Sequence, residues 1–117
     1  MIKFGVFLKN NLSKIIGTIA FSNIVYGPFL SSYLGYRLDE HENGKGYISE
    51  GIKTGIRYVF DELKLHRIEA NIVPHNIRSI EVVEKLGFKL EGRSEKYIQI
   101  NGKWEDHLHY VMLNEKI

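Results

Sequence analysis

Residues 41–51 read HENGKGYISEG, three glycines and a lysine in eleven positions, and apolar residues at helical spacing begin inside the stretch at Ile48. A helix N-terminus leaves unpaired backbone N–H groups and a partial positive charge. Glycines just ahead of it let an anion approach those donors closely. Phosphate suits such a cradle. Two familiar phosphate loops fail at specific positions. The ATPase loop needs Gly-Lys followed by Ser or Thr after an earlier glycine, whereas Gly44-Lys45 precedes Gly46 and position 39 is Asp39. The dinucleotide fingerprint needs a third glycine where Ser49 stands.

Other chemistry-bearing residues read more plainly. There are five histidines, and His107 and His109 share one face of a strand, but no third ligand of fixed spacing accompanies them. They are expected to face water from an outer strand. Trp104, Tyr97 and Tyr110 suit core or cross-strand pairs, and Glu81, Glu84 and Lys85 a solvated helix face. On their own, Asn76 and Ser79 form an ordinary helix N-cap pair. The chain has no cysteine, which excludes disulfides, thiolate metal sites and a cysteine nucleophile.

A chain of 117 residues has room for one modest core, so a single domain over residues 1–117 is expected. With 44% hydrophobic and 26% charged residues and a net charge of +2, it reads as a folded globular chain. Charges of both signs are mixed without a basic stripe, so no nucleic-acid partner is expected. No apolar run approaches membrane length, and the opening MIKFGVFLKNN alternates like a strand. A cytoplasmic protein with no membrane partner follows as the expectation.

The elements that would position these residues are visible in the periodicities. Segments 2–9 and 15–24 are rich in Ile, Val and Phe and read as a hairpin with NNLSK as its loop. A third strand, SSYLGYRLD, feeds the glycine loop. From residue 47 to 63, Ile48, Ile52, Ile56, Val59, Phe60 and Leu63 recur at spacings of three and four, predicting an amphipathic helix. HRIEANIVP sets Ile68, Ala70 and Ile72 against Arg67, Glu69 and Asn71, which is strand periodicity. Asn76 caps a second helix with Ile77, Ile80, Val83 and Leu86 toward the core, and Gly87 suits the left-handed position after it. Asn101-Gly102 predicts a closing hairpin. The fold class is α+β (mixed α/β): a mostly antiparallel mixed sheet with one parallel strand-helix-strand unit and flanking helices.

The stretch His41, Glu42, Asn43, Gly44, Lys45, Gly46 resembles the coenzyme A pyrophosphate loop of the GNAT N-acetyltransferases, Gln/Arg-x-x-Gly-x-Gly/Ala, with His41 at the first position. One strand later, NIRSIEVVEKLGF resembles the family's Asn-x-x-Ser/Ala helix ending in Gly-Phe, and NGKWEDHLHYVML resembles its last hairpin. Together with YLGYRLD, these segments look most like the ribosomal-protein-alanine N-acetyltransferase branch. The resemblance covers nearly the whole chain. The family fold opens with a strand and two helices before the first hairpin, so the resemblance implies a shortened form lacking them.

What the resemblance implies is direct transfer of an acetyl group from acetyl-CoA to a primary amine, with a protein N-terminal α-amine as the branch-typical acceptor. Small amines such as polyamines or aminoglycosides are the alternative, as is a truncated, homodimer-forming coenzyme A-binding module without turnover. The backbone N–H groups of Asn43, Gly44, Lys45, Gly46 and Tyr47 would cradle the pyrophosphate, with Lys45 adding charge. The strand edge at Tyr36 to Leu38 would pair with the pantetheine amides, and backbone N–H near Leu38 would meet the oxyanion. Many relatives carry a tyrosine acid four residues beyond the motif serine, but Val83 stands there. Ser79 is then the acid for the departing thiolate, with Asn76 bonding the cofactor arm. Asn71 occupies the strand position where some relatives carry a glutamate base. Glu69 lies two residues away on the same face and reads as an ordinary exposed or salt-bridged strand residue.

Overall fold

A computed structural model describes residues 1–8, 11–38 and 46–116. The strands are β1 (Ile2–Leu8), β2 (Asn11–Val25), β3 (Ser31–Leu38), β4 (Arg67–Ile72), β5 (Lys89–Ile100) and β6 (Lys103–Leu113). The helices are α1 (Tyr47–Arg57), which runs on through a π-helical turn, Tyr58–Glu62, and α2 (Ile77–Lys85). Among the described residues the strands form one sheet in the order β1-β2-β3-β4-β6-β5. Every neighbouring pair is antiparallel except β3 and β4, the parallel unit expected around α1.

Both helices pack on one face of the sheet, because every second strand residue there is apolar. Ile48, Ile52 and Ile56 of α1 meet Ile19 and Phe21 of β2 and Leu34 of β3 in the core. Two glycines make the approach close. A Cβ on Gly51 would lie 2.8 Å from Ile19 Cδ1, and one on Gly55 would lie 2.8 Å from Phe21 Cε2. Phe21 is fully buried, and a ring so placed stabilises the fold by roughly 1.5–3 kcal/mol. On β4 the alternation holds as read, with Ile68, Ala70 and Ile72 buried and Arg67, Glu69 and Asn71 half-buried on the opposite face.

Local signals decide several ends. Asn76 accepts the backbone N–H of Ser79 at 3.3 Å and caps α2, Gly87 takes φ +98 after it, and Asn101 and Gly102 both take positive φ in the closing turn. Positive φ at both central residues matches the right-handed twist of the flanking strands. Other expectations need correction. β2 begins at Asn11, whose partner is Leu8, so much of NNLSK is strand rather than loop. Backbone groups make the ladder, and polar residues supply them as well as apolar ones. Ile77, expected in the core, is exposed at the first turn of α2, whereas Trp104 takes the cross-strand alternative of its reading, exposed opposite Gln99.

The largest departure concerns β6. It is an interior strand, between β4 and β5, so His107 is buried and His109 half-buried where an outer strand would have left both in water. Glu84 is exposed on α2 as expected, and it also accepts the phenol hydrogen of Tyr110 at 2.9 Å.

Candidate active site

The parallel pairing of β3 and β4 covers only Ser31 to Tyr33 against Arg67 to Glu69. Both strands run on, to Leu38 and Ile72, without pairing to each other. A gap of this kind leaves backbone donors and acceptors along one edge of β3, the arrangement that takes an extended amide-bearing ligand as an added strand.

At the far end of β3, on the helix face, lies a cleft of about 470 Å³. Tyr36, Arg37 and Leu38 of β3 form one wall, Gly46 and the first turn of α1 a second, and α2 from its cap Asn76 to its last residue Lys85 the third. Two helix N-termini therefore open into one space. In α1 the hydrogen-bond ladder starts with Glu50 N–H donating to the Gly46 carbonyl at 3.1 Å, so the three preceding N–H groups have no partner within the helix. Gly46 adopts φ +79 at the N-cap, a left-handed conformation that glycine reaches without steric cost. Among the described residues, Arg37, Arg78 and Lys85 stand in the walls with the acidic Glu81. The donor set and its charge fit a diphosphate.

Tyr36 and α2 are joined directly, the phenol donating to the Ser79 carbonyl oxygen at 3.1 Å. Burial pushes the Tyr36 phenol above its ordinary value, so it is a neutral donor at physiological pH. Ser79 itself is half-buried on the cleft wall beside the exposed cap residue Asn76.

The structure thus brings Tyr36, Leu38, Gly46, Asn76 and Ser79 around one cleft. Asn43, Gly44 and Lys45 lie outside the described residues. Tyr47 starts α1 but lines a separate groove of about 670 Å³ with Phe4, Val6 and Ile19 of the first hairpin, and it is not among the residues that line the cleft. Asn71 is not brought beside Ser79. It sits on the sheet face away from the helices, two residues past the last β3–β4 pair.

On that face Asn71 is part of a polar cluster. Its Oδ1 lies 2.5 Å from His109 Nδ1, and His109 Nε2 lies 2.7 Å from Ser94 Oγ. Glu69 is salt-bridged as expected, with Oε1 2.7 Å from Arg67 Nη2 and Oε2 3.8 Å from His109 Nδ1. Arg67 also clamps Glu91 through two contacts of 2.7 and 2.9 Å. The Arg67 guanidinium holds the Glu91 carboxyl below its ordinary value. Sequence reasoning missed Arg78 and Lys85 as cleft residues and His109 as the partner of Asn71. Arg78, in the first turn of α2 beside Asn76 and Ser79, was a readable signal, whereas Lys85 ends the helix. His109 was not readable, because its place follows from strand order.

A short parallel contact that stops, a helix N-terminus facing the opened edge of β3, and a second helix closing the cleft define an acyl-coenzyme A-binding architecture. The chain belongs to the GNAT acetyltransferases: the family described as "Acetyltransferase (GNAT) domain" matches residues 1–89. It is 43% identical over 111 residues to the Bacillus subtilis (strain 168) protein named "Probable N-acetyltransferase YjcK", covering 95% of this chain and 61% of that one. It is 42% identical to the [ribosomal protein uS5]-alanine N-acetyltransferase of Escherichia coli (strain K12), over 90% of this chain and 54% of that one. The crystal structure of the ribosomal-protein-S5-alanine acetyltransferase from Vibrio fischeri superposes with a TM-score of 0.89 at 41% identity, over 94% of this chain and 60% of that one. The chain therefore spans between half and two thirds of the length of these relatives. GNAT acetyltransferases use acetyl-CoA. Among the described residues, no helix is long and apolar enough to cross a membrane, and no cluster of metal-ligating side chains occurs.

Proposed function

We propose that this chain carries the cofactor-binding and transfer centre of an N-acetyltransferase that acetylates a protein N-terminal α-amine. The observation that carries the reading is the convergence of both helix N-termini on the opened edge of β3. The identity to a ribosomal-protein-alanine enzyme supports the choice of acceptor.

Acetyl-CoA supplies an acetyl group activated as a thioester. In the proposed centre the N–H groups at the start of α1, with those of Asn43, Gly44 and Lys45, hold its pyrophosphate, and Arg78 and Lys85 offset the remaining charge. The free edge of β3 from Tyr36 to Leu38 pairs with the pantetheine amides and offers a backbone N–H to the oxyanion. The amine nitrogen bonds to the carbonyl carbon as the carbon–sulfur bond breaks. Ser79 Oγ donates its proton to the departing sulfur, the amine's extra proton leaves to water, and water returns a proton to Ser79 Oγ. Asn76 steadies the cofactor arm, and Asn71 orients the acceptor without taking a proton.

The test is calorimetric titration with acetyl-CoA of the wild type and Gly44→Glu, with acetyl transfer to a peptide bearing an N-terminal alanine followed in parallel. Micromolar binding that the substitution abolishes, together with peptide acetylation, is the expected result. Equal binding by both proteins, or binding without any transfer, overturns it.

A further inference from the structure

The cluster around His109 carries information that neither the fold nor the cofactor cleft requires. The oxygen of an asparagine amide only accepts hydrogen bonds, and its nitrogen only donates. With Asn71 Oδ1 at 2.5 Å from His109 Nδ1, the proton of that contact belongs to the imidazole. In the neutral ring Nε2 is then an acceptor, and the Ser94 hydroxyl at 2.7 Å donates to it. Glu69 supports the same assignment. Its Oε2 lies 3.8 Å from Nδ1, and a carboxylate favours an N–H over a lone pair facing it. With the amide reversed, the Nδ1 lone pair would face that carboxylate. The remaining neighbours hold the ring in place: Tyr97 of β5 stands edge-on with its centroid 5.0 Å away, and Glu91 lies within charge range but is engaged by Arg67. Arg67 is engaged in turn by both carboxylates.

The amide nitrogen of Asn71 is left over. No described residue takes its hydrogens, and Asn71 lies at the mouth of the opened β3–β4 gap, on the face free of α1 and α2. We propose that His109 is a positioning residue, locking the Asn71 amide so that Nδ2 donates to the carbonyl oxygen of a peptide acceptor. The inference rests on the transferase reading above and deepens it. An N-terminal residue offers a carbonyl group separated from its amine by one carbon, whereas a polyamine offers none.

The test joins a spectroscopic and a kinetic arm. In ¹⁵N NMR of the wild type at neutral pH, His109 is expected as the Nδ1–H tautomer, and the Asn71 side-chain NH₂ resonances are expected to shift when an alanyl peptide is added. An Nε2–H tautomer, or NH₂ resonances indifferent to the peptide, overturns the assignment whether or not the protein turns over. Kinetically, His109→Leu should raise the KM for the peptide about tenfold and leave the Kd for acetyl-CoA unchanged. His109→Asn places an amide N–H near the lost Nδ1–H and should stay within about threefold of wild type. Equal losses in both variants, no loss in the leucine variant, or turnover of spermidine without turnover of the peptide all count against the proposal. A wild type that binds no acetyl-CoA defeats the transferase reading, while the tautomer and the peptide shift still decide the role of His109.

Discussion

The phenol of Tyr36, on β3, donates to the main-chain carbonyl of Ser79, in the first turn of α2, across 3.1 Å and 43 residues of sequence. The bond ties the opened end of β3 to the helix that closes the cleft. It is the side-chain hydrogen bond seen between these two walls among the described residues, so the width of the cleft depends on it.

Tyr36→Phe removes the donor and keeps the ring. Because the cleft is open to water, the Ser79 carbonyl can be partly resolvated, and the expected cost is about 1 kcal/mol of folding stability. Chemical denaturation should show a lower midpoint with an unchanged slope. Acetyl-CoA affinity should fall severalfold in the same variant. Full affinity with the predicted stability loss would separate the bond from the cofactor site.

Gly17→Ala probes the other side of β3. A Cβ there would lie 2.5 Å from the Arg37 carbonyl oxygen, a backbone atom that cannot rotate away. The strands must separate at the pair Gly17 and Leu38, which lies beside the cleft wall. A loss of roughly 1–3 kcal/mol is expected from the overpacking. Gly35→Ala, where nothing stands within 4 Å of the added carbon, is the matched control and should change thermal stability little.

The bulge in the last hairpin makes stability depend on acid. Asp106 accepts from Arg93 Nη2 at 2.6 Å and from the Lys96 backbone N–H at 2.9 Å, where Lys96 takes φ +45. The Arg93 guanidinium foremost, then the backbone N–H, holds the Asp106 carboxyl below its ordinary value of 3.8. A depressed native pKa stabilises the fold above the unfolded value, and that contribution is lost as pH falls through the folded value. Stability should therefore decline below about pH 4. Asp106→Asn should flatten the decline, measured by denaturation at a series of pH values. An unchanged slope would remove Asp106 from the account.

Much of the fold was legible in the sequence because the signals are local. The spacing of Ile48, Ile52 and Ile56 put one face of α1 on the sheet, and the alternation of Ile68, Ala70 and Ile72 oriented β4. Asn76 capped α2, and Asn101-Gly102 turned the last hairpin. Each of these depends on side-chain periodicity or on φ at one or two residues, which neighbours in the chain decide. Gly46 and the Asn76 and Ser79 pair line the cleft, and each was readable for the same reason: a helix N-terminus is announced by the residues that begin it.

Which hairpin strand lies inside the sheet was decided only by tertiary structure. β5 and β6 are both long, and nothing within either strand says which one pairs with β4. Once β6 does, His109 stands opposite Asn71 in the ladder, His107 is buried, and polar residues that alternation alone would leave in water become an organised cluster. Likewise Tyr36 and Ser79 meet because a sheet and a helix packed on it converge at one end. Periodicity along a chain specifies which face a residue occupies. The neighbour across that face is set by long-range pairing, in which backbone hydrogen bonds are indifferent to side-chain identity and burial of the whole sheet chooses among the alternatives.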